Sequence, residues 1–306
     1  NTSKTMNRQI LYNKYIFDDT KIENDEIKQY IVNIKCKTID KIRKYTNIHT
    51  LIIENEQNKP LNNLPKSLKS LTINSCNFDR QLDNLPHMLQ NLHIKSHKFN
   101  QSLDRLPNQL QYIKLQECHS FKKPLDQLPS SLKTLIIDYP NEHIGDVYSN
   151  LPSSLHTLII SNCRASIPPL DKLPPSLHTL KILKSWYNHQ LNKLPLELKI
   201  LKTNANCPLD NLPKNLHTLC LYVGELTYPL NKLPKTLIVL KIKSVNINKS
   251  QYLKDIQDLE KICGAQMIMN NAFNQELSNL PQSLESLTII SSKFNHRIDN
   301  LPPSLK

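Results

Sequence analysis

Serine and aspartate, two side-chain types of hydrolytic active sites, recur at regular spacing in this 306-residue chain. One serine position belongs to a Leu-Pro-x-Ser-Leu motif and is occupied by Ser67, Ser131, Ser154, Ser176 and Ser283. One aspartate position follows a Leu or Ile just upstream of the next Leu-Pro and is occupied by Asp83, Asp104, Asp126, Asp171, Asp210 and Asp299. A catalytic side chain needs an environment of its own that shifts its pKa, whereas each of these side chains has the same environment as its counterparts in other repeats. We therefore predict that the chain is not an enzyme and that these short polar side chains form turns.

Metal and cofactor sites are also disfavoured. His156 and His178 occupy the same position of neighbouring repeats and are expected to stack, but no third ligand type recurs beside them, and zinc needs three or four ligands. The chain has only three glycines, so its sequence contains no glycine-rich phosphate-binding loop. Seven cysteines without a Cys-x-x-Cys pair predict free thiols, no metal, no cofactor and a reducing, cytoplasmic setting.

The elements that carry these side chains follow from a repeat. Leu-Pro occurs eleven times, at intervals of 21, 21, 22, 23, 22, 21, 18, 21, 47 and 21 residues. The 47-residue interval is about two periods, which predicts one repeat without Leu-Pro. Downstream of each Leu-Pro, alternation such as Leu71-Thr72-Ile73 predicts a short strand with its leucine and isoleucine buried.

Strands that recur in one direction after a short connection must stack in parallel, and the proline-containing return path shows no helical periodicity. We therefore predict a mainly β repeat solenoid of about twelve repeats. It is expected to be a horseshoe with a parallel sheet on its concave face and an extended, helix-poor convex side.

The repeat text resembles the FNIP repeat, a leucine-rich-repeat variant of social amoebae and of giant viruses that infect amoebae. Leu82-Asp83-Asn84-Leu85-Pro86, Phe99-Asn100-Gln101-Ser102-Leu103-Asp104 and Phe273-Asn274 carry the resemblance, which covers about residues 48–306. In a leucine-rich repeat, a small polar residue after the strand turns the chain inward. Counting three residues past the second buried strand residue assigns this role to Cys76, His97, Cys118, Cys163 and Ser185.

The resemblance also implies a domain organisation and a partner. FNIP repeats often follow an F-box, which docks onto the Skp-type adaptor of cullin–RING ubiquitin ligases. Residues 1–28, through Ser3–Phe17, are expected to be the tail of an F-box or else an N-terminal cap, and residues 29–306 the solenoid, cut within a repeat at its end. An irregular repeat is expected near 250–270, with a helix over Tyr252–Gly264 and a strand at Gln266–Ile268.

Outward strand residues are expected to form the binding face. The predicted contact residues are Lys114, Ile136, Asp138, Ile159, Lys181, Leu183, Lys202, Tyr222, Lys241 and Lys243. Apolar side chains rimmed by lysines favour a protein partner with an acidic surface. We expect the chain to act as a monomer in the cytoplasm, which would be the host cytoplasm if the chain is viral. The alternative function is a basic scaffold for nucleic acid or another acidic surface. It rests on the formal net charge of +13, but the lysines are spread along the chain, so we expect no nucleic-acid partner. No apolar run has the length of a membrane span.

Overall fold

The computed structural model describes the chain in two compact units, residues 1–155 and 156–306. The described residues are 16–18, 20, 28, 31–37, 39–45, 47–54, 58–138, 148, 150–163, 167–185, 187, 189–222, 226–243, 273–277 and 279–306. The expected helix at Tyr252–Gly264 and strand at Gln266–Ile268 lie outside them, as does nearly all of the segment Ser3–Phe17. In the part of the chain that is described, no helix is long and apolar enough to cross a membrane.

The first unit contains a parallel sheet in which each strand pairs with the next strand in sequence. Its strands are β1 (Phe17–Asp18), β2 (Asn33–Cys36), β3 (Thr50–Glu54), β4 (Ser70–Asn74), β5 (Asn91–Lys95), β6 (Tyr112–Gln116) and β7 (Thr134–Asp138). A 3-10 helix over Ile39–Lys44 lies between β2 and β3. Strand β1 therefore lies within the segment 1–28, and Phe17 pairs with Ile34 of β2.

The second unit has the same parallel arrangement. Its strands are β8 (Thr157–Ser161), β9 (Thr179–Leu183), β10 (Ile200–Thr203), β11 (Thr218–Tyr222), β12 (Val239–Lys243) and β13 (Ser286–Ile290). Strands β12 and β13 pair directly along five residues, from Val239–Ser286 to Lys243–Ile290. Residues 244–272, where the 47-residue interval predicts an extra repeat, lie outside the described residues.

The predicted inward residues form the core. The side chains of Leu71, Leu92 and Leu135 in the first unit and of Leu158, Leu180 and Leu240 in the second are fully buried. Each pairs in register with the equivalent residue of a neighbouring strand, for example Leu71 with Leu92. One repeat cannot bury its own apolar side, so each column of leucines stabilises the stack only through its neighbours. The predicted repeat solenoid of parallel strands, poor in helix, is confirmed.

The Leu-Pro-x-Ser-Leu motif makes the turn before each strand. The amide of Leu132 donates to the carbonyl of Pro129 at 3.0 Å, and the Ser131 hydroxyl donates to the Leu110 carbonyl of the preceding repeat at 2.7 Å. The same hydroxyl bond to the preceding repeat is made by Ser67, Ser154, Ser283 and Ser304. Each such bond satisfies a backbone carbonyl that no strand partner reaches, which explains why serine recurs at this position.

The phenylalanine of the repeat and the residue that follows it form two columns. The rings of Phe78, Phe99 and Phe121 stack with centroids 6.1 and 5.9 Å apart and are buried. Beside them, a side-chain oxygen of one repeat accepts a backbone amide of the next, which we call the Asn/Asp ladder. Asp79 Oδ1 accepts the Asn100 amide at 2.9 Å, and Asn100 Oδ1 accepts the Lys122 amide at 2.9 Å.

The inward turn after the strand differs from the sequence-based count. Ser75 and Ser96 are the buried small polar residues in two repeats, whereas Cys76 is exposed and His97 is largely accessible. In three later repeats an extra residue with positive φ, namely Glu117, Asn162 or Lys184, precedes the turn. This insertion moves the turn residue one place along, so Cys118, Cys163 and Ser185 are buried as predicted, and the assignment of Cys76 and His97 is wrong.

Candidate binding face of the sheet

Outward strand residues form two columns on the solvent side of each unit, and we call this surface the sheet face. In the first unit the first column runs Thr72, His93, Lys114, Ile136 through paired residues of β4 to β7. The second column, two residues further along each strand, contains Asn74, Lys95, Gln116 and Asp138. The register thus places three of the predicted contact residues, Lys114, Ile136 and Asp138, side by side.

Burial sets the electrostatics of the first unit's sheet face. It lowers the pKa of His93 to about 4, with Lys114 adding repulsion, and the His93 ring lies 3.0 Å from Gln116 Oε1. The ring is therefore neutral and donates through Nε2 to the amide oxygen. Burial also lowers the pKa of Lys114, while the Asp138 carboxylate acts in the opposite direction.

An acidic residue missing from the sequence prediction lies at the end of β6. Glu117 binds Lys95 Nζ at 2.9 Å and lies 3.4 Å from the His97 ring. Burial opposes its ionisation, but Lys95 and His97 hold the pKa of the carboxyl below its usual range. Glu117 is the inserted residue, and the 22-residue interval that contains it was the signal in the sequence.

The second unit carries the other seven predicted contact residues. Its first column runs Ile159, Lys181, Lys202, Cys220, Lys241, Thr288 from β8 to β13. Its second column contains Ser161, Leu183, Asn204, Tyr222, Lys243 and Ile290. These two columns contain lysines, apolar side chains and small polar groups, and no acidic residue.

Three lysines surround one short side chain in these columns. Lys202 and Lys241 are the strand partners of Cys220 on either side, and Lys243 is the partner of Tyr222. All three act on the Cys220 thiol electrostatically, and the Tyr222 hydroxyl hydrogen-bonds to it. Burial still raises the pKa of Cys220, and burial together with Cys220 raises the pKa of Tyr222 to about 12.

Not every predicted contact residue is accessible. Asp138 is 2% exposed and Leu183 9% exposed, so neither is open to a partner as the outward register alone predicts. Ile136, Ile159, Lys181, Lys202 and Tyr222 are half-buried. Cys220, which the sequence prediction did not include among the contact residues, is 2% exposed and lies between two that it did include.

Side chains that could have done chemistry have structural roles. The rings of His156 and His178 stack with centroids 5.1 Å apart and planes 14° apart, so their nitrogens do not converge on one point. Among the described residues, no group of three or more His, Cys, Asp or Glu could hold a metal ion. Asp171 and Asp210 pair with Lys193 and Lys232 of the next repeat at 2.9 and 3.1 Å.

Comparison with known proteins identifies the fold. No model of a protein family matches the chain, and no curated protein is similar to it in sequence. Among solved structures, it is similar to CroV588, a circular LRR protein, with a TM-score of 0.58 and 22% identity over 90% of this chain and 42% of that one. It is also similar to TLR13 in its complex with ssRNA13, with a TM-score of 0.55 and 16% identity over 90% of this chain and 45% of that one. The chain therefore has the leucine-rich-repeat fold.

The chain thus spans less than half the length of either protein. YopM from Yersinia enterocolitica WA-314 matches at a TM-score of 0.47 and 19% identity, over 90% of this chain and 71% of that one. At 22% and 16% identity, the likeness to CroV588 and TLR13 establishes the fold alone, so a binding role has to be argued from this chain's own residues.

Proposed function

We propose that the chain is a non-enzymatic protein-interaction module whose sheet face binds an acidic protein partner. The observation that carries this proposal is the second unit's sheet face, where Lys181, Lys202, Lys241 and Lys243 lie among Ile159 and Tyr222 without an acidic residue in the described columns. Half-buried apolar side chains supply area to bury, and lysines steer the approach of a negative surface. A leucine-rich-repeat fold supports a binding role because it presents one regular surface.

The resemblance to FNIP repeats extends this proposal. A protein of this kind would be the substrate-recognition part of an F-box adaptor, reaching a cullin–RING ubiquitin ligase through a Skp-type adaptor. The chain would then act as a monomer in the cytoplasm, or in the host cytoplasm if it is viral. Ubiquitin transfer would be the task of other subunits, which agrees with the structural roles of the serines. Co-purification of a Skp-type adaptor with the full-length protein tests this part of the proposal.

The sheet face is tested by capture of partners from amoebal lysate. The variant Ile159→Asp with Tyr222→Asp places two negative charges on the second unit's sheet face and is expected to lose its partners. The control is Leu196→Asp with Tyr228→Asp, which makes the same changes at side chains of the same unit that are 73% and 39% exposed. If both variants remain folded and retain the same partners, the sheet face is not the binding surface.

A further inference from the structure

A third column of outward side chains borders the first column of the second unit's sheet face, and we call it the border column. It consists of the half-buried residues that open strands β9 to β12 and pair in register: Thr179, Ile200, Thr218 and Val239. Side chains alternate along a strand, so each member lies on the same side of the sheet as the first-column residue two places further on. Ile200 thus neighbours Lys202, and Val239 neighbours Lys241.

The two columns differ in charge. On β9 to β12 the first column contains Lys181, Lys202, Cys220 and Lys241. Lys202 and Lys241 are half-buried, and within the part of the chain that the structure describes neither of them forms an ion pair. The border column has no charged member. A basic strip therefore lies alongside an uncharged strip that contains two aliphatic side chains.

The spacing within both columns selects the backbone shape of a partner. Lys202 and Lys241 are two strands apart, as are Ile200 and Val239, which separates the members of each pair by roughly 9.6 Å at the backbone. In an α-helix, residues i and i+7 lie on one side about 10.5 Å apart. In an extended chain, side chains on one side recur about every 6.6 Å, so neither one nor two such steps match the spacing. A helix that crosses the strands therefore matches both columns.

We propose that the border column and the first column of β9 to β12 form a docking surface for an acidic amphipathic helix of the protein partner. The inference rests on the proposed function and specifies the structure of the partner. The apolar stripe of the helix packs on Ile200 and Val239, and carboxylates beside the stripe meet Lys202 and Lys241. An apolar stripe next to a charged side is the usual pattern of an amphipathic helix, and such helices dock through side chains at i, i+3, i+4 and i+7.

Other partners match the two columns less well. An extended acidic segment places its carboxylates out of step with Lys202 and Lys241. Single-stranded nucleic acid is bound by a long positive track with several aromatic platforms for its bases. On β9 to β12 neither the border column nor the first column contains an aromatic side chain, and phosphates gain nothing from the uncharged border column.

The test measures the affinity of synthetic peptides by fluorescence anisotropy. The helical probe is rich in alanine, has glutamates at i, i+4 and i+7 with a leucine directly after each, and is held helical by a lactam bridge on its far side. In the split control each leucine follows its glutamate by two residues, which turns the leucines about 200° away from the glutamates. In the proline control a central proline breaks the helix without changing the charge. Oligouridylate is the nucleic-acid probe.

Substitutions in the first column test the charge. The variant Lys202→Ala with Lys241→Ala removes two cations, and the matched control Lys214→Ala with Lys235→Ala removes the same charge from exposed positions of the same unit. The variant Lys202→Glu with Lys241→Glu reverses the charge. It is expected to release the helical probe and to bind a second helical probe in which lysines replace the glutamates.

Substitutions in the border column test the apolar contact. The variant Ile200→Thr with Val239→Thr removes apolar surface and keeps β-branched side chains, which suit a strand. If this variant unfolds on heating at a much lower temperature than the native chain, Val239→Thr alone replaces it. The split and proline controls are measured on the native chain, so their comparison with the helical probe does not depend on the folding of any variant.

We expect the native chain to bind the helical probe on the order of tenfold more tightly than either control peptide. The Lys→Ala pair in the first column and the Thr pair in the border column should each lose on the order of tenfold in affinity, and the exposed-lysine control about twofold or less. Equal binding of a control peptide, equal loss in the exposed-lysine control, or binding of oligouridylate alone would overturn the docking of a helix.

Failure of this inference is distinguishable from failure of the proposed function. If the helical probe binds no better than the proline control, or not at all, while lysate partners are lost in Ile159→Asp with Tyr222→Asp, the helix is overturned and the sheet face still binds a protein. If no acidic peptide binds and that variant retains every partner, both are overturned.

Discussion

Cysteine exposure separates the thiols of this chain. Among the described cysteines none is in a disulfide; Cys76 alone is exposed, and Cys36, Cys118, Cys163, Cys207 and Cys220 are buried. Burial raises the pKa of Cys118 to about 12, and it raises the pKa of Cys207 and Cys220 as well. Since the thiolate is the nucleophile, a buried thiol with a raised pKa is protected twice: a reagent does not reach it, and it stays protonated.

We therefore predict that an alkylating reagent at neutral pH modifies Cys76 before any of the five buried thiols. Peptide mapping by mass spectrometry measures the order. After denaturation without reductant, all seven cysteines of the chain should react; Cys263, outside the described residues, is followed in this count. Modification of Cys118 as fast as Cys76, or recovery of five or fewer thiols, would contradict the prediction.

Burial of His93 makes the free energy of unfolding depend on pH. Its folded-state pKa of about 4 lies below the ordinary value of 6.5, so between these values the unfolded chain binds a proton that the folded chain does not. The free energy of unfolding therefore falls as the pH is lowered from 6.5 toward 4. The side chain is only partly buried, so solvent screening reduces the effect to on the order of 1 kcal/mol.

The substitution His93→Gln removes this titration. We predict that the native chain loses more unfolding free energy than the variant when the pH is lowered through this range, measured by denaturant titration at several pH values. The same substitution at His87, an exposed turn residue, serves as the control. Parallel pH profiles for the native chain and His93→Gln would show that His93 does not cause the loss.

At the scale of elements, the Asn/Asp ladder ties successive repeats together. Asp79 accepts two donors from the next repeat, the Asn100 amide at 2.9 Å and Gln101 Nε2 at 2.7 Å, and its own amide donates to Asn58 Oδ1 at 2.8 Å. A similar bond joins the Thr227 amide to Asn206 Oδ1 in the second unit. The ladder supplies acceptors on the side of the repeat where no strand pairs.

We predict that Asp79→Ala destabilises the chain by about 1–3 kcal/mol, because the Asn100 amide loses its acceptor in a partly buried place. Asp79→Asn keeps an oxygen at the same position and should retain most of the stability, which makes it the matched control. Denaturant unfolding measures both. A similar loss in the two variants would show that charge, and not the acceptor, is what Asp79 contributes.

Periodicity predicts much of each element but not its details. The alternation around Leu71 and Leu158 fixed strand, register and buried face, because side chains alternate strictly along a strand. The one-residue insertion at Glu117 could not be located, since an interval of 22 residues shows that an extra residue exists and not where it lies. The burial of Asp138 was missed because an outward register does not tell what covers a side chain.

For the whole molecule, the distribution of charge matters more than its sum. The formal charge of +13 is large, yet lysines such as Lys193 and Lys232 are paired with aspartates one repeat away. Exposed pairs of this kind contribute little to stability, about 0–1 kcal/mol each. These pairs do reduce the number of lysines that an anionic partner could contact, so the net charge overstates the extent of the basic surface.

Once the lysines paired with aspartates are set aside, the positive surface in the described columns is concentrated on the sheet face of the second unit. The number of its lysines limits how many counterions a bound partner can displace. A partner that contacts about three or four ammonium groups should lose on the order of a hundredfold or less in affinity when salt is raised from about 50 to 200 mM, whereas nucleic acid with about 6–10 phosphate contacts loses about 10³–10⁵. We therefore predict a shallow salt dependence for the captured protein partner, measured by fluorescence anisotropy at several salt concentrations. The variant Lys202→Ala with Lys241→Ala and Lys243→Ala should make the salt dependence of affinity shallower still. The control variant Lys199→Ala with Lys214→Ala and Lys235→Ala, which removes the same charge from exposed positions of the same unit, should leave it unchanged. If affinity still falls steeply with salt in the variant that lacks these three lysines, a much longer basic track outside the sheet face makes the contact. Nucleic acid would then be the better assignment.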